Sequence, residues 1–103
     1  MRVLPYCVAL AILACASSIA MGANPDNGSN LAKRWCTGCH VVSADQAKGT
    51  DIAPSFASIA AKPDFNIEKI ASFLLEPHPK MPNMALSSEE VKDISAFIAE
   101  QPR

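Results

Sequence analysis

The sequence has few of the residues from which metal clusters and disulfide frameworks are built. It contains four cysteines and two histidines in 103 residues, and two of the cysteines lie in an apolar N-terminal stretch. A zinc site needs more thiolates, or a second histidine at ligand spacing, than Cys36, Cys39, His40 and His78 supply. A disulfide between Cys36 and Cys39 would close a very small loop and constrain the unfolded chain little.

An excess of charge is also missing. The formal net charge is −1, with 9 basic and 10 acidic side chains. This balance lacks the excess of positive charge that is typical of nucleic-acid-binding proteins. It also gives no strong net charge that would attract an oppositely charged partner. The chain also lacks an internal repeat, a low-complexity segment and any convincing strand pattern, so we predict an all-α fold.

The one long apolar run lies at the N-terminus, in residues 1–23. Arg2 is a short positive n-region, Val3–Ala16 is the apolar h-region, and small residues follow. This layout is typical of a secretory signal peptide. We predict cleavage after Ala23, with cleavage after Ala20 as the alternative.

Two membrane-attached interpretations of the same run stay open. The run is near the length of a membrane span, so it could remain as an uncleaved anchor. Ile12–Cys15 loosely resembles a lipoprotein box, which would place a lipid on Cys15. Every interpretation exports residues 24–103, so we expect a periplasmic domain that contacts the membrane only if the N-terminus is retained or lipidated. A domain of about 80 residues can bury only a modest hydrophobic core, and domains of this size often need additional stabilisation from a covalent cross-link or a bound group.

Capping residues and apolar spacing predict four helices in residues 24–103. Asn27 or Ser29 would cap a first helix that runs to about Cys39, and Ser55–Ala61 would form a short second helix. The residues expected on the buried face of the first helix are Leu31, Ala32 and Trp35.

The other two helices carry clearer signals. Asn66 would cap Ile67–Glu76, and the Ser87–Glu90 capping box would open a last helix that ends near Glu100. Their apolar stripes are Ile67, Ile70, Phe73 and Leu74, and Val91, Ile94, Phe97 and Ile98. We expect loops at 41–51 and at 77–84, where closely spaced prolines favour a stiff extended path.

The most informative motif is Cys36-Thr-Gly-Cys39-His40, which has the C-x-x-C-H pattern of covalent haem attachment. Two thiols at this spacing can each add across a vinyl group of one porphyrin, and the next imidazole can reach the iron. A thioredoxin-like redox pair would need a βαβ context, which the sequence lacks. The motif therefore predicts one haem c bound through Cys36 and Cys39.

From Asn27 to Glu100 the chain resembles the class I c-type cytochromes. The resemblance rests on the Cys36–His40 motif, on Pro54, and on Met81-Pro82 before the capped last helix. It implies helices wrapped around one haem, with the first and last helices crossing at a small residue. Gly28 matches that residue. Ala32 departs from the family, where an aromatic is common, and Trp35 or Phe97 would fill the space.

The resemblance also implies roles for individual residues. Cys36 and Cys39 would be the thioether anchors and His40 the proximal iron ligand. Pro54 would offer its carbonyl to the outward ring nitrogen of His40, although proline is also a common loop residue. The apolar side chains expected against the macrocycle are Phe56, Ile59, Ile70, Phe73, Leu74 and Leu86.

The sixth iron ligand is expected in the proline-rich loop. The family places a methionine directly before a proline here, which selects Met81. Met84 and His78 remain the alternatives. A thioether ligand would raise the reduction potential relative to a second imidazole. Lys80 would lie near the haem edge, either helping to dock an acidic partner or simply solvated.

Two filled axial positions leave the iron only one-electron exchange. The sequence therefore predicts a monomeric periplasmic electron carrier rather than an enzyme, whose partners are a respiratory complex or a periplasmic dehydrogenase or oxidase. Two alternatives stay open. One is a haem subunit tethered in a larger oxidoreductase, and the other is a ligand-binding haem sensor or enzyme with an open sixth position.

Overall fold

Each helix in the described part of the chain begins at a polar side chain that accepts hydrogen bonds from its first turn. The computed structural model describes residues 22–49, 53–76 and 81–102. In these ranges it has no strand and four helices: α1 Pro25–Trp35, α2 Phe56–Ala60, α3 Ile67–Leu75 and α4 Ser88–Ala99. The all-α prediction is confirmed. The signal peptide, apart from its last two residues, lies outside the described residues, as do His78 and Lys80.

Helix α1 begins earlier than the sequence pattern suggested. Asn24 is the N-cap, and its side-chain oxygen accepts from the backbone N–H groups of Asp26 and Asn27. Pro25 fits the first helical position because that residue has no intrahelical N–H partner to lose. The prediction of Asn27 or Ser29 as the cap is therefore wrong.

Helix α1 also ends earlier, at Trp35, with Cys36 as its C-cap. The prediction that it runs to Cys39 and buries Trp35 is wrong. Trp35 is 44% exposed, and the guanidinium of Arg34 lies 5.1 Å from its ring centroid. The aromatic ring covers the long cationic side chain on the surface instead of contributing to the core.

Predicted helix signals elsewhere are confirmed. The short helix predicted at Ser55–Ala61 is α2, with Ser55 as its N-cap, and Asn66 caps α3 as predicted. At α4 the Ser87 hydroxyl accepts from Glu90 N–H, while the Glu90 carboxylate accepts from Ser87 N–H. Residues 41–49 are irregular, as expected.

Helices α1 and α4 pack directly against each other at Gly28. A Cβ atom on Gly28 would lie 2.0 Å from the backbone oxygen of Asp93, so the two backbones meet without room for a side chain. The carboxylate of Asp93 fastens the same crossing. It accepts from the backbone N–H of Asn24 and from the amide Nδ2 of Asn27, both at 2.8 Å.

The core lies where α1, α2 and α3 pack on α4. Its buried members come from every helix and include Ala32, Phe56, Ala60, Ala71, Leu74, Val91, Ile94 and Ile98. One member of the α3 stripe is wrongly placed by the pattern, since Ile67 is 38% exposed. Phe97 is half-buried against the core and contacts Phe56.

Across the described ranges, no helix combines the length and apolarity that a membrane span requires.

Candidate cofactor site

A largely apolar cavity of about 310 Å³ opens between the end of α1 and helices α2, α3 and α4. It is large enough for the buried part of an organic ligand. The motif, the Pro54 segment and the Met81 segment each contribute to its wall. The lining residues are Cys36, His40, Pro54, Phe56, Ile59, Lys62, Ile70, Phe73, Leu74, Met81 and Ile98.

One side of the cavity is formed by the turn that follows α1. The N–H groups of Cys39 and His40 both donate to the carbonyl of Cys36, at 3.2 and 2.8 Å. The Thr37 hydroxyl donates to the carbonyl of Lys33 at 3.0 Å, which closes the last turn of the helix. This geometry holds the cysteines and the histidine of the motif on one compact turn.

The two cysteines of this turn are thiols in different surroundings. Cys36 is buried and lines the cavity, whereas Cys39 is exposed. Burial raises the pKa of the Cys36 thiol to about 11. The low-dielectric site therefore favours an uncharged sulfur, such as a thiol or a thioether, over a thiolate metal ligand.

His40 is oriented by the backbone of Pro54. Its Nδ1 lies 2.5 Å from the Pro54 carbonyl oxygen. A carbonyl only accepts, so Nδ1 carries the proton and donates to it. In the neutral imidazole this tautomer leaves the lone pair on Nε2, as a metal ligand requires. Pro54 thus has the partner that the resemblance implied for it.

The ring of Phe56 packs beside this imidazole. Its centroid lies 5.6 Å from that of His40 and 6.2 Å from that of Phe97. Phe56 is buried and lines the cavity. Of the other apolar residues expected against a macrocycle, Ile59, Ile70, Phe73 and Leu74 line the cavity, whereas Leu86 packs on the core outside it.

Gln46 was missed by sequence reasoning, although it organises the same loop. Its Oε1 accepts from Val42 N–H at 2.9 Å. Its Nε2 donates to the carbonyls of His40, Thr37 and Lys48 at 2.7, 3.2 and 3.2 Å. The side chain thus joins the motif to the loop that follows it. A lone glutamine in an irregular segment gives no pattern from which this role could have been predicted.

Gln46→Glu is expected to destabilise the folded protein by about 1–3 kcal/mol at neutral pH, because a carboxylate cannot donate to those three carbonyls. Urea unfolding of the haem-loaded protein measures the loss. Asn30→Asp is the control for an amide-to-carboxylate change, since Asn30 is exposed on α1 and its side chain makes no hydrogen bond within the described residues. Equal unfolding midpoints for the two variants would contradict the stabilising role of the Gln46 hydrogen bonds.

Of the three candidate sixth ligands, the structure brings one to the cavity. Met81 is half-buried and lines it together with His40. Met84 is also half-buried but is not among the lining residues. His78 lies outside the described residues. Of the described methionines, Met81 alone therefore shares the cavity with the imidazole.

These residues fit a covalently attached haem. The site provides a buried thiol and an exposed thiol on one turn, an imidazole with a free lone pair, and a thioether across an apolar cavity. Within the described ranges there is no group of three or more histidine, cysteine or carboxylate side chains that could hold a bare metal ion. The donor set suits a porphyrin-bound iron, for which two axial ligands suffice.

Comparison with known proteins points the same way. Residues 23–98 match the family described as cytochrome c oxidase, cbb3-type, subunit III. The chain is also 53% identical over 92 residues to cytochrome c-552 of Bradyrhizobium diazoefficiens, a match that covers 89% of this chain and 88% of that protein. No solved structure gives a significant match.

Proposed function

Because this chain belongs to the small class I c-type cytochromes, we propose that it is a periplasmic one-electron carrier whose haem c is ligated by His40 and Met81. The family membership itself makes the protein a haem c electron-transfer protein rather than an enzyme. The proposal adds the two axial ligands, the attachment through Cys36 and Cys39, and the compartment.

The observation that carries the ligand assignment is the position of His40 and Met81 in one apolar cavity. The Pro54 carbonyl holds the imidazole in the tautomer whose Nε2 can donate to iron. Met81 precedes Pro82, whose ring restricts the backbone of both residues. A stiffly held thioether changes position little when the charge of the site changes.

A haem held by Cys36, Cys39, His40 and Met81 would supply reversible one-electron exchange between redox proteins. The chain's residues set the conditions for this exchange. The apolar wall of the cavity would exclude water from the haem, and His40 and Met81 would together occupy both ligand positions that the porphyrin leaves on the iron. With no open position, oxygen and peroxide have no site at which to react.

The predicted signal peptide supports export of the domain. Residues 1–23 have the charge, apolar length and small residues of a cleavable leader. Asn24 is the first residue that makes a hydrogen bond in the described fold. We propose that cleavage after Ala23 releases a monomeric domain of residues 24–103.

The spectrum of the wild-type protein tests the ligation. Protein matured in a host that attaches haem c should show a low-spin spectrum in both oxidation states. Carbon monoxide should leave the reduced spectrum unchanged on mixing, because both axial positions are filled. Rapid carbon monoxide binding would contradict the proposal and favour a sensor or enzyme with an open sixth position.

The family description favours a second candidate, a haem subunit fixed in a larger oxidoreductase. The intact mass and elution volume of the native protein discriminate between the two. A free carrier should have the mass of residues 24–103 plus one haem and should elute as a small monomer. Retention of residues 1–23, or elution with other subunits, would favour the tethered role.

A further inference from the structure

The segment that joins Met81 to helix α4 contains a strained residue. Among the described residues, Ala85 alone has a positive φ, of 54°. In this left-handed conformation the Cβ atom lies close to the following carbonyl oxygen, so an alanine rarely adopts it unless neighbouring groups hold it there. Ala85 is exposed, so the packing of its own side chain does not account for the conformation. Backbone strain of this kind is concentrated where a functional side chain is held in place.

A side chain of the same segment holds this conformation. The Oδ1 atom of Asn83 accepts a hydrogen bond from Ala85 N–H at 2.9 Å, which closes an Asx turn over residues 83–85. Within residues 82–86 it is the one hydrogen bond that joins two described residues. Asn83 is itself exposed. The shape of the turn therefore depends on this bond and not on burial of either side chain.

Both ends of the turn are connected to fixed points. On the side of α4, Leu86 packs against the core, and the capping box fixes Ser87 at the start of the helix. On the other side, Pro82 restricts the backbone of Met81 to extended conformations, and Met81 lines the cavity. The bend over residues 83–85 therefore decides where the thioether lies relative to the rest of the site.

We propose, on the premise that His40 and Met81 ligate the iron, that Asn83 is a positioning residue for Met81. Its turn favours the conformation of the segment in which the thioether reaches the iron, and so keeps the sixth position closed to other ligands. Loss of the turn increases the fraction of molecules in which the segment has opened. An external ligand binds only that fraction, so its apparent affinity rises in proportion.

Imidazole binding to the ferric protein tests the proposal, because ferric iron holds a soft thioether less firmly than ferrous iron does. Asn83→Ala should raise the affinity for imidazole about three- to tenfold, as expected for the loss of one hydrogen bond. Asn83→Asp should keep nearly the wild-type affinity, since its carboxylate also accepts from Ala85 N–H. Ala85→Val should raise the affinity as well, because a β-branched residue disfavours a positive φ, whereas Ala85→Gly should not.

Asn66→Ala is the matched control. The Asn66 Oδ1 accepts from Lys69 N–H at 3.1 Å to cap α3, so this variant loses the same kind of bond outside the ligand segment. Both asparagine-to-alanine variants should unfold at a lower urea concentration, but only Asn83→Ala should bind imidazole more tightly. Wild-type affinity in Asn83→Ala would overturn the proposal, as would an equal rise in Asn66→Ala.

The far-red absorption band that a thioether ligand gives with ferric haem separates this proposal from the ligand assignment. The band should be present in the wild-type protein and absent from Met81→Ala. If that holds and Asn83→Ala binds imidazole no better than the wild-type protein, only the positioning role of Asn83 is wrong. If the wild-type protein lacks the band, both the ligation by Met81 and the positioning role are wrong.

Discussion

Met81→Ala should lower the reduction potential and allow carbon monoxide to bind the reduced haem. Met81 is the described methionine that shares the cavity with His40. Truncation to alanine removes the thioether, which stabilises ferrous iron better than water or a second imidazole does. We expect a drop on the order of a hundred millivolts, a modest part of the roughly 0.8 V over which axial ligands tune haem.

Carbon monoxide provides the sharper readout for this variant. The wild-type protein should stay unchanged on mixing, whereas Met81→Ala should bind the gas stoichiometrically because its sixth position is open. Met84→Ala is the matched control, since Met84 lies in the same segment, is also half-buried and does not line the cavity. If Met84→Ala binds carbon monoxide and Met81→Ala does not, the sixth ligand is Met84 instead of Met81. If neither variant binds carbon monoxide, His78 becomes the candidate for the sixth ligand.

Gly28→Ala should destabilise the folded protein, because α1 and α4 meet at this residue without room for a side chain. The added Cβ would meet Asp93 O at 2.0 Å, Asp93 C at 2.5 Å and Ile94 N at 2.9 Å. These are backbone atoms, so α1 and α4 must move apart to accommodate the methyl group. Overpacking of this kind, against backbone atoms that cannot rotate away, lies at the upper end of the usual range, at about 3 kcal/mol, and outweighs the gain of roughly 1 kcal/mol that alanine brings to a helix.

Thermal unfolding of the haem-loaded protein measures this effect. A net loss of about 2 kcal/mol corresponds to a melting temperature lower by roughly 8–16 °C in a domain of this size. Gly38→Ala is the control, because a Cβ there has no atom within 4 Å. Melting temperatures that agree for the two variants would show that the crossing can relax at little cost.

The sequence was most informative where a local chemical rule determines the structure. Asn66 and the Ser87–Glu90 capping box were predicted correctly, because side-chain oxygens that accept from the first-turn N–H groups act within four residues. The contact at Gly28 followed from the family resemblance, and the backbone approach to Asp93 confirms it.

The errors arose where tertiary context decides. Apolar spacing placed Trp35 in the core, yet the helix ends beside it and the ring stacks with Arg34 on the surface. Ile67 belongs to the apolar stripe of α3 and is instead 38% exposed. Gln46 could not have been found, because its bonds join loop segments whose mutual positions no periodicity encodes.

The bond from Asn24 to Asp93 has a consequence for maturation. If the leader is cut after Ala23, the nitrogen that now donates as an amide becomes the amino terminus of the new chain, already 2.8 Å from a carboxylate oxygen. Proteolysis would then replace a neutral donor with an ammonium and create an ion pair between the two ends of the domain, with no atom needing to move. Cleavage by the peptidase would in that way stabilise the folded domain that it releases.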